Sequence, residues 1–207
     1  MAKKLSTPER ILQSAEKLFS ERGIDGVSLR EITSASGVNS AALHYHFGSK
    51  IAVLERLFEL RAQPIAQARV SLLSQLSYDR KGRPKVEDVL RAFLRPALET
   101  ANRAGGAAFK LLRARLAFER EEVRRRVLDK TFNHSSRMAL DALAKALPHL
   151  SSNELHWRFH FLLGTMVYTM AQPGRIESLT DDVIDTRDWE AALERLVVFA
   201  AAGFRAP

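Results

Sequence analysis

The run Ser28 to Lys50, SLREITSASGVNSAALHYHFGSK, constrains this chain more than any other part of it. Ser28 followed by Glu31 is a capping box, in which side chains satisfy the N–H groups left open at a helix start. Leu29, Ile32 and Ala35 then fall at helical spacing and predict one apolar face. Gly37 breaks the pattern where the chain must turn, because glycine takes positive φ without steric cost. Asn39 is a good N-cap for a restart, and Ala42, Leu43 and Phe47 supply the apolar anchors of a second short helix. Helix, glycine turn and small-residue helix together make a helix-turn-helix pattern. The small polar edge of Asn39, Ser40, Ala41 and His44 has the size and chemistry to enter a DNA groove.

The flanking segments read as helices throughout. Thr7 is expected to cap the first, with Pro8 in its first turn and Ile11, Leu12, Ala15, Leu18 and Phe19 as its stripe. Ser49 caps a long fourth helix from Lys50, which Pro64 should kink or interrupt near Gln63. A fifth is expected over 84–103 with Pro96 inside it, a sixth over 107–120 and a seventh over 121–147. Ser151 with Glu154 opens an eighth over 151–171, a loop spans 172–185, and Thr186 caps a ninth. No alternation of period two is visible. The expectation is an all-α chain of about nine helices: a three-helix DNA-binding domain with a helix-turn-helix over 1–48, then a helical domain over 49–207.

The eighth and ninth helices are apolar on more than one face. Leu155, Phe159, Leu162, Met166 and Met170 make one stripe of the eighth; Trp157, Phe161, Gly164 and Tyr168 make another. A chain of 207 residues has too little material to cover both faces, so a second subunit is the simplest cover; the alternative is that the eighth is the central core helix, and the two can hold together, one face each. The expected dimer interface comprises Leu162, Gly164, Met166, Trp189, Leu193, Leu196, Val197, Ala200 and Phe204. Gly164 is expected where a neighbouring backbone comes close.

Several function classes are excluded. The chain has no cysteine, so disulfides, thiolate metal sites and a cysteine nucleophile are ruled out. Of the histidines, His156 and His160 alone have the four-residue spacing of paired helical ligands, without the H-E-x-x-H pattern, and one ring is expected in the core and one on the surface. With no nucleophile motif and no glycine-rich phosphate loop, the chain is not expected to be an enzyme or to carry a cofactor or metal. No signal-like segment opens the chain, and its most apolar runs are shorter than the roughly 18 to 20 residues that span a bilayer. A cytoplasmic protein with no membrane partner is expected. The formal net charge of +8 is compatible with a polyanionic partner.

Gly37-Val38-Asn39, the following Leu43-His44-Tyr45-His46-Phe47-Gly48-Ser49-Lys50, and Ser28 to Ile32 before them resemble the TetR family of transcriptional regulators. The dense similarity covers about the first quarter of the chain. It implies a recognition helix over Asn39 to Tyr45, with Asn39, Ser40, Ala41 and His44 at base edges or flanking phosphates. It implies backbone contacts from Ser28, Arg30 and Tyr45, and a phosphate contact from Lys50 at a helix N-terminus. His44 stands where many members carry Tyr, and Thr33 and Ser36 where Ala is usual.

The resemblance further implies a homodimer on a palindromic double-stranded operator, released by a small effector bound in the helical domain. A pocket for that effector would draw on Phe93, Phe109, Leu112, Leu116, Phe132, Trp157, Phe161 and Tyr168. Arg113 or Arg115, within a run of arginines from Arg103 to Arg137, could turn inward to hold an anionic ligand; otherwise a hydrophobic one is expected. The alternative is a DNA-binding dimer that needs no ligand.

Overall fold

In the first fifty residues Ser6, Ser28 and Asn39 open helices, and Gly23 and Gly37 close them. The computed structural model describes residues 5–99, 106–172 and 174–207. They form α1 (Thr7–Arg22), α2 (Leu29–Ser36), α3 (Ser40–His46), α4 (Lys50–Ser74), α5 (Val86–Glu99) and α6 (Gly106–Leu116). Next come α7 (Glu121–Arg124), a π turn (Arg125–Asp129), α8 (Lys130–Ala146), α9 (Ser152–Ala171), α10 (Arg175–Leu179) and α11 (Trp189–Arg205). No strand occurs among the described residues, and no helix there is long and apolar enough to cross a membrane. The chain is all-α, as expected.

The differences from the expected elements are local. Ser6, one residue earlier than Thr7, caps α1, and the Glu9 carboxylate accepts from both its N–H and its hydroxyl at 2.7 Å. Pro64 does not interrupt α4, which runs unbroken to Ser74. A proline removes one ladder bond, but neighbouring turns can carry the helix across it. Between α7 and α8 the helix continues through the π turn, and the Thr131 hydroxyl donates to the Val127 carbonyl at 2.8 Å. The expected loop over 172–185 contains α10. Asp188 rather than Thr186 caps α11, accepting from Ala191 N–H at 3.0 Å; Thr186 instead donates its hydroxyl to Glu177. The end of the fifth expected helix, with Arg103, lies outside the described residues.

The chain divides into two compact units, residues 1–63 with 104–131, and residues 64–103 with 132–207. Packing therefore groups α6, α7 and the first half of α4 with the helix-turn-helix. In this first unit Ile11, Ala15 and Phe19 of α1 are buried with Ile32, Leu43, Val53, Leu54 and Phe58. Phe58 meets Phe109 of α6 with ring centroids 5.0 Å apart. The buried side of α2 is Ile32 and Ser36, while Ala35 is exposed. Ser36 tolerates burial because its hydroxyl donates to the Thr33 carbonyl at 3.2 Å.

In the second unit α5, α9 and α11 share a core of Val89, Leu90, Phe93, Phe159, Leu162, Met166, Leu196 and Val197. Two bidentate pairs, Arg91 on Glu194 and Arg205 on Glu87, join α5 to α11. Arg158 of α9 accepts no exposed role: its guanidinium donates to the carbonyls of Gly203, Phe204 and Ala206 at 2.8–3.1 Å and so closes the C-terminus of α11. That satisfies carbonyls a helix end otherwise leaves open.

Candidate nucleic-acid interface

Three backbone carbonyls hold the helix-turn-helix to its neighbours. Arg10 of α1 donates to the Gly37 carbonyl at 2.9 Å, fixing the turn between α2 and α3. Lys50, first residue of α4, donates from Nζ to the Ile24 carbonyl at 2.7 Å and to the Val27 carbonyl at 2.9 Å. Gly37 at φ 61° and Gly48 at φ 75° occupy the left-handed region where a side chain is strained. Val38 N–H donates to the Thr33 carbonyl at 3.1 Å, tying the start of the turn back to α2. The turn is thereby set by backbone conformation as well as by side chains.

On this frame α3 buries Leu43 and leaves Ser40, Ala41, His44, Tyr45 and His46 exposed. Asn39 accepts at Oδ1 from Ala42 N–H at 2.7 Å, as an N-cap does. His44 Nδ1 is 3.1 Å from the Gly48 carbonyl. Tyr45 is 86 % exposed, with its ring edge-on to His46 at 5.2 Å between centroids. A short helix that sets small polar groups and a tyrosine toward solvent, over one apolar anchor, has the form of a major-groove reader.

The backbone-contact candidates divide. Arg30, on α2, is exposed. Ser28 is exposed too, but its hydroxyl is engaged in the capping box, donating to Glu31 at 2.8 Å and accepting from its N–H at 3.3 Å. Glu31 also takes Arg22 at 2.7 Å. The Ser28 hydrogen bonds, then Arg22, hold its carboxyl down at about 2. Lys50 is placed differently from the expectation: its ammonium turns inward onto two carbonyls. The reason is that the α1–α2 connection ends in carbonyls with no helical partner of their own.

The effector candidates are split between the units. Phe109, Leu112, Arg113, Arg115 and Leu116 fall in the first; Phe93, Phe132, Trp157, Phe161 and Tyr168 fall in the second. Of the two arginines, Arg113 is the inward one, 6 % exposed, and burial lowers its guanidinium to about 10, which leaves it charged at neutral pH. Arg115 is exposed and donates to the Glu21 carbonyl at 3.3 Å. Its neighbours in the basic run are largely paired: Arg120 with Asp25, Arg125 with Glu121, Arg126 with Glu55 and Lys130 with Glu59.

A buried arginine in the second unit escaped the sequence reading. Arg69 of α4 is 1 % exposed. Its guanidinium stacks 3.9 Å from the Phe93 ring centroid and 5.4 Å from that of Phe132, and Nε donates to the Phe93 carbonyl at 2.7 Å. Arg69 sits at an a-like position among Ile65, Leu73 and Leu72, and only that register could have flagged it.

The two stripes of α9 are exchanged relative to the expectation. Leu155, Phe159, Leu162, Met166 and Met170 form the core, and with them Leu193, Leu196, Val197, Ala200 and Phe204 of α11 are buried within the protomer. Trp189 is half-buried, 5.9 Å from the Arg95 guanidinium. The outward face carries Trp157, Phe161, Gly164 and Tyr168 of α9 with Val198 and Phe199 of α11. Trp157, Phe161 and Tyr168 therefore line no interior pocket. A Cβ at Gly164 would meet nothing within 4 Å, so no backbone among the described residues approaches there. Between Phe161, Leu162 and Thr165 on α9 and Phe199, Ala200 and Gly203 on α11 lies an apolar groove of about 310 Å³. Both His156 and His160 are exposed on this side, rather than one in the core. Among the described residues no three His, Asp or Glu side chains gather as metal ligands.

Comparison with known proteins gives this geometry a lineage. Residues 11–57 match the model for bacterial regulatory proteins of the tetR family. Residues 91–203, more than half of the chain, match the tetracyclin repressor-like C-terminal domain. The HTH-type transcriptional regulator AcrR of Shigella flexneri is 33% identical over 94 residues, 45% of this chain and 41% of that protein. The HTH-type negative transcriptional regulator IcaR of the icaADBC biofilm operon, from Staphylococcus aureus, is 40% identical over 48 residues, 23% of this chain and 26% of that protein. The chain thus spans well under half the length of these curated relatives. The fatty acid degradation regulator FadR from Bacillus halodurans shares the fold, with a TM-score of 0.65 at 17% identity over 99% of this chain and 100% of that one. This chain belongs to the TetR family of bacterial regulatory proteins.

Proposed function

We propose that the chain acts in the cytoplasm as a homodimeric repressor that binds a palindromic operator and is released by a small effector. The observation that carries the dimer is the outward face of α9 and α11, where Phe161 is 61 % and Phe199 68 % exposed. Aromatics of that size, contiguous and outside the core, are the composition of a buried interface centre rather than of a free surface. Two α3 helices about 34 Å apart would then reach successive major grooves of a two-fold symmetric site.

In this reading the helix-turn-helix over 1–48 recognises DNA and the helices over 49–207 supply dimerisation and effector binding. Asn39, Ser40, Ala41 and His44 face bases, and Arg30 and Tyr45 face phosphates. Lys50 acts as a positioning residue that fixes the α1–α2 connection against the start of α4. The charged, buried Arg113 supports an anionic effector, whose differential affinity for two states would shift DNA binding. Selection of bound fragments from random DNA, with sedimentation of the protein alone and on the selected site, tests the core of this reading. A monomer at micromolar concentration, or selected sites without two-fold symmetry, would refute it. Metabolite pools added to the selected complex test the effector.

A further inference from the structure

The fold fixes the hydrogen-bonding polarity of one polar side chain on the reading edge. Asn39 keeps both kinds of group, because its Oδ1 accepts from Ala42 N–H at 2.7 Å with one lone pair and holds a second beside the NH₂ donors. In His44, Nδ1 lies 3.1 Å from the Gly48 carbonyl. A carbonyl oxygen accepts and cannot donate, so in the neutral ring Nδ1 carries the proton and Nε2 is a bare acceptor. Both residues are exposed. Neither contact depends on DNA, so the polarity is set before binding.

We propose that this polarity is a specificity element: His44 selects an amino-bearing base, adenine or cytosine. In the major groove, adenine N6 and cytosine N4 donate, which matches the lone pair on Nε2. Guanine and thymine present only acceptors among their polar groups, so they leave Nε2 without a donor. The inference rests on α3 being the recognition helix. It adds to that reading the side-chain atom that discriminates and the class of base it takes.

The experiment is selection from random DNA at pH 8, with the full chain and three variants. His44→Glu keeps an acceptor at the tip, and should retain the adenine or cytosine preference at the affected position while binding more weakly overall. His44→Arg offers donors only, and should move that position to guanine. Discrimination of roughly tenfold at that position is expected from a contact of this kind. An amino-base preference that survives in His44→Arg overturns the polarity assignment. Failure of the underlying reading looks different. The triple variant Asn39→Ala, Ser40→Ala, His44→Ala would then select the wild-type site with wild-type affinity.

Discussion

α3 and α9 both leave large parts of their surface uncovered, yet they do so with opposite chemistry. α3 shows Ser40, Ala41, His44 and Tyr45 over a single buried anchor, Leu43. α9 shows Trp157, Phe161 and Tyr168 over a continuous buried stripe. Small polar groups keep their hydration until a polar partner replaces it, which suits a ligand such as DNA. Exposed aromatics gain most when water is removed altogether, which suits a second protein surface. The same helical periodicity generated both faces. The difference lies in what each residue gains by being covered.

The sharpest way to break this comparison is inside α9, where Phe159 and Phe161 are two residues apart. Phe159→Ala removes a core ring that packs 5.2 Å from Phe93, and should cost about 3–5 kcal/mol in chemical denaturation. Phe161→Ala at an exposed position should alter the folding of a protomer by less than about 0.5 kcal/mol. Equal effects from the two would mean that the faces have been assigned wrongly.

Charging the outer face comes next. Phe161→Asp with Phe199→Asp should weaken self-association by about 2–4 kcal/mol, a hot-spot magnitude, read by sedimentation velocity. Helicity by circular dichroism should be unchanged, because neither side chain belongs to the protomer core. A double variant that stays dimeric would free this face from the interface.

At the DNA end, Lys50→Ala removes the charged donor from the Val27 carbonyl and from the Ile24 carbonyl, which keeps only Val27 N–H at 3.4 Å. It should destabilise the chain by about 1.5–3 kcal/mol, the range for hydrogen bonds to a charged group. Its salt dependence of DNA binding should remain near wild type, because the ammonium points inward. A stable variant with a flatter salt slope would instead return Lys50 to the phosphate contacts.

The smallest effect is acid sensitivity at the α5–α11 junction. The Arg205 guanidinium hydrogen-bonded to Glu87 holds its carboxyl down at about 2. Because the folded value lies below the ordinary one near 4.3, the pair stabilises fully above that pH and loses its contribution as pH falls toward 2. Solvent screening limits this to about 1 kcal/mol or less. Glu87→Gln should remove that slope from urea midpoints measured between pH 4.5 and 2. An unchanged slope would place the acid sensitivity elsewhere.

What was legible in the sequence was the local chemistry. Ser28 with Glu31, Gly37, Asn39 and Ser151 each act within four residues of themselves, so their hydrogen bonds could be foreseen. The all-α class followed from periodicity for the same reason. Where a competing local partner lay nearby, even short-range inference slipped: Ser6 displaced Thr7, and Asp188 displaced Thr186.

The amino-acid sequence by itself determined where helices begin, where the chain turns and which residues lie on a common stripe. Tertiary structure alone decided which of two equally apolar stripes of α9 is core. Hydrophobicity has no direction, and Leu162 and Phe161 differ in burial only because α5 and α11 pack on one side. It alone turned Lys50 toward carbonyls from a connection more than twenty residues earlier. It alone brought Arg69 beneath Phe93. A long cationic side chain reads the same in sequence whether its head meets water, a phosphate or a carbonyl, and only the fold supplies the acceptor.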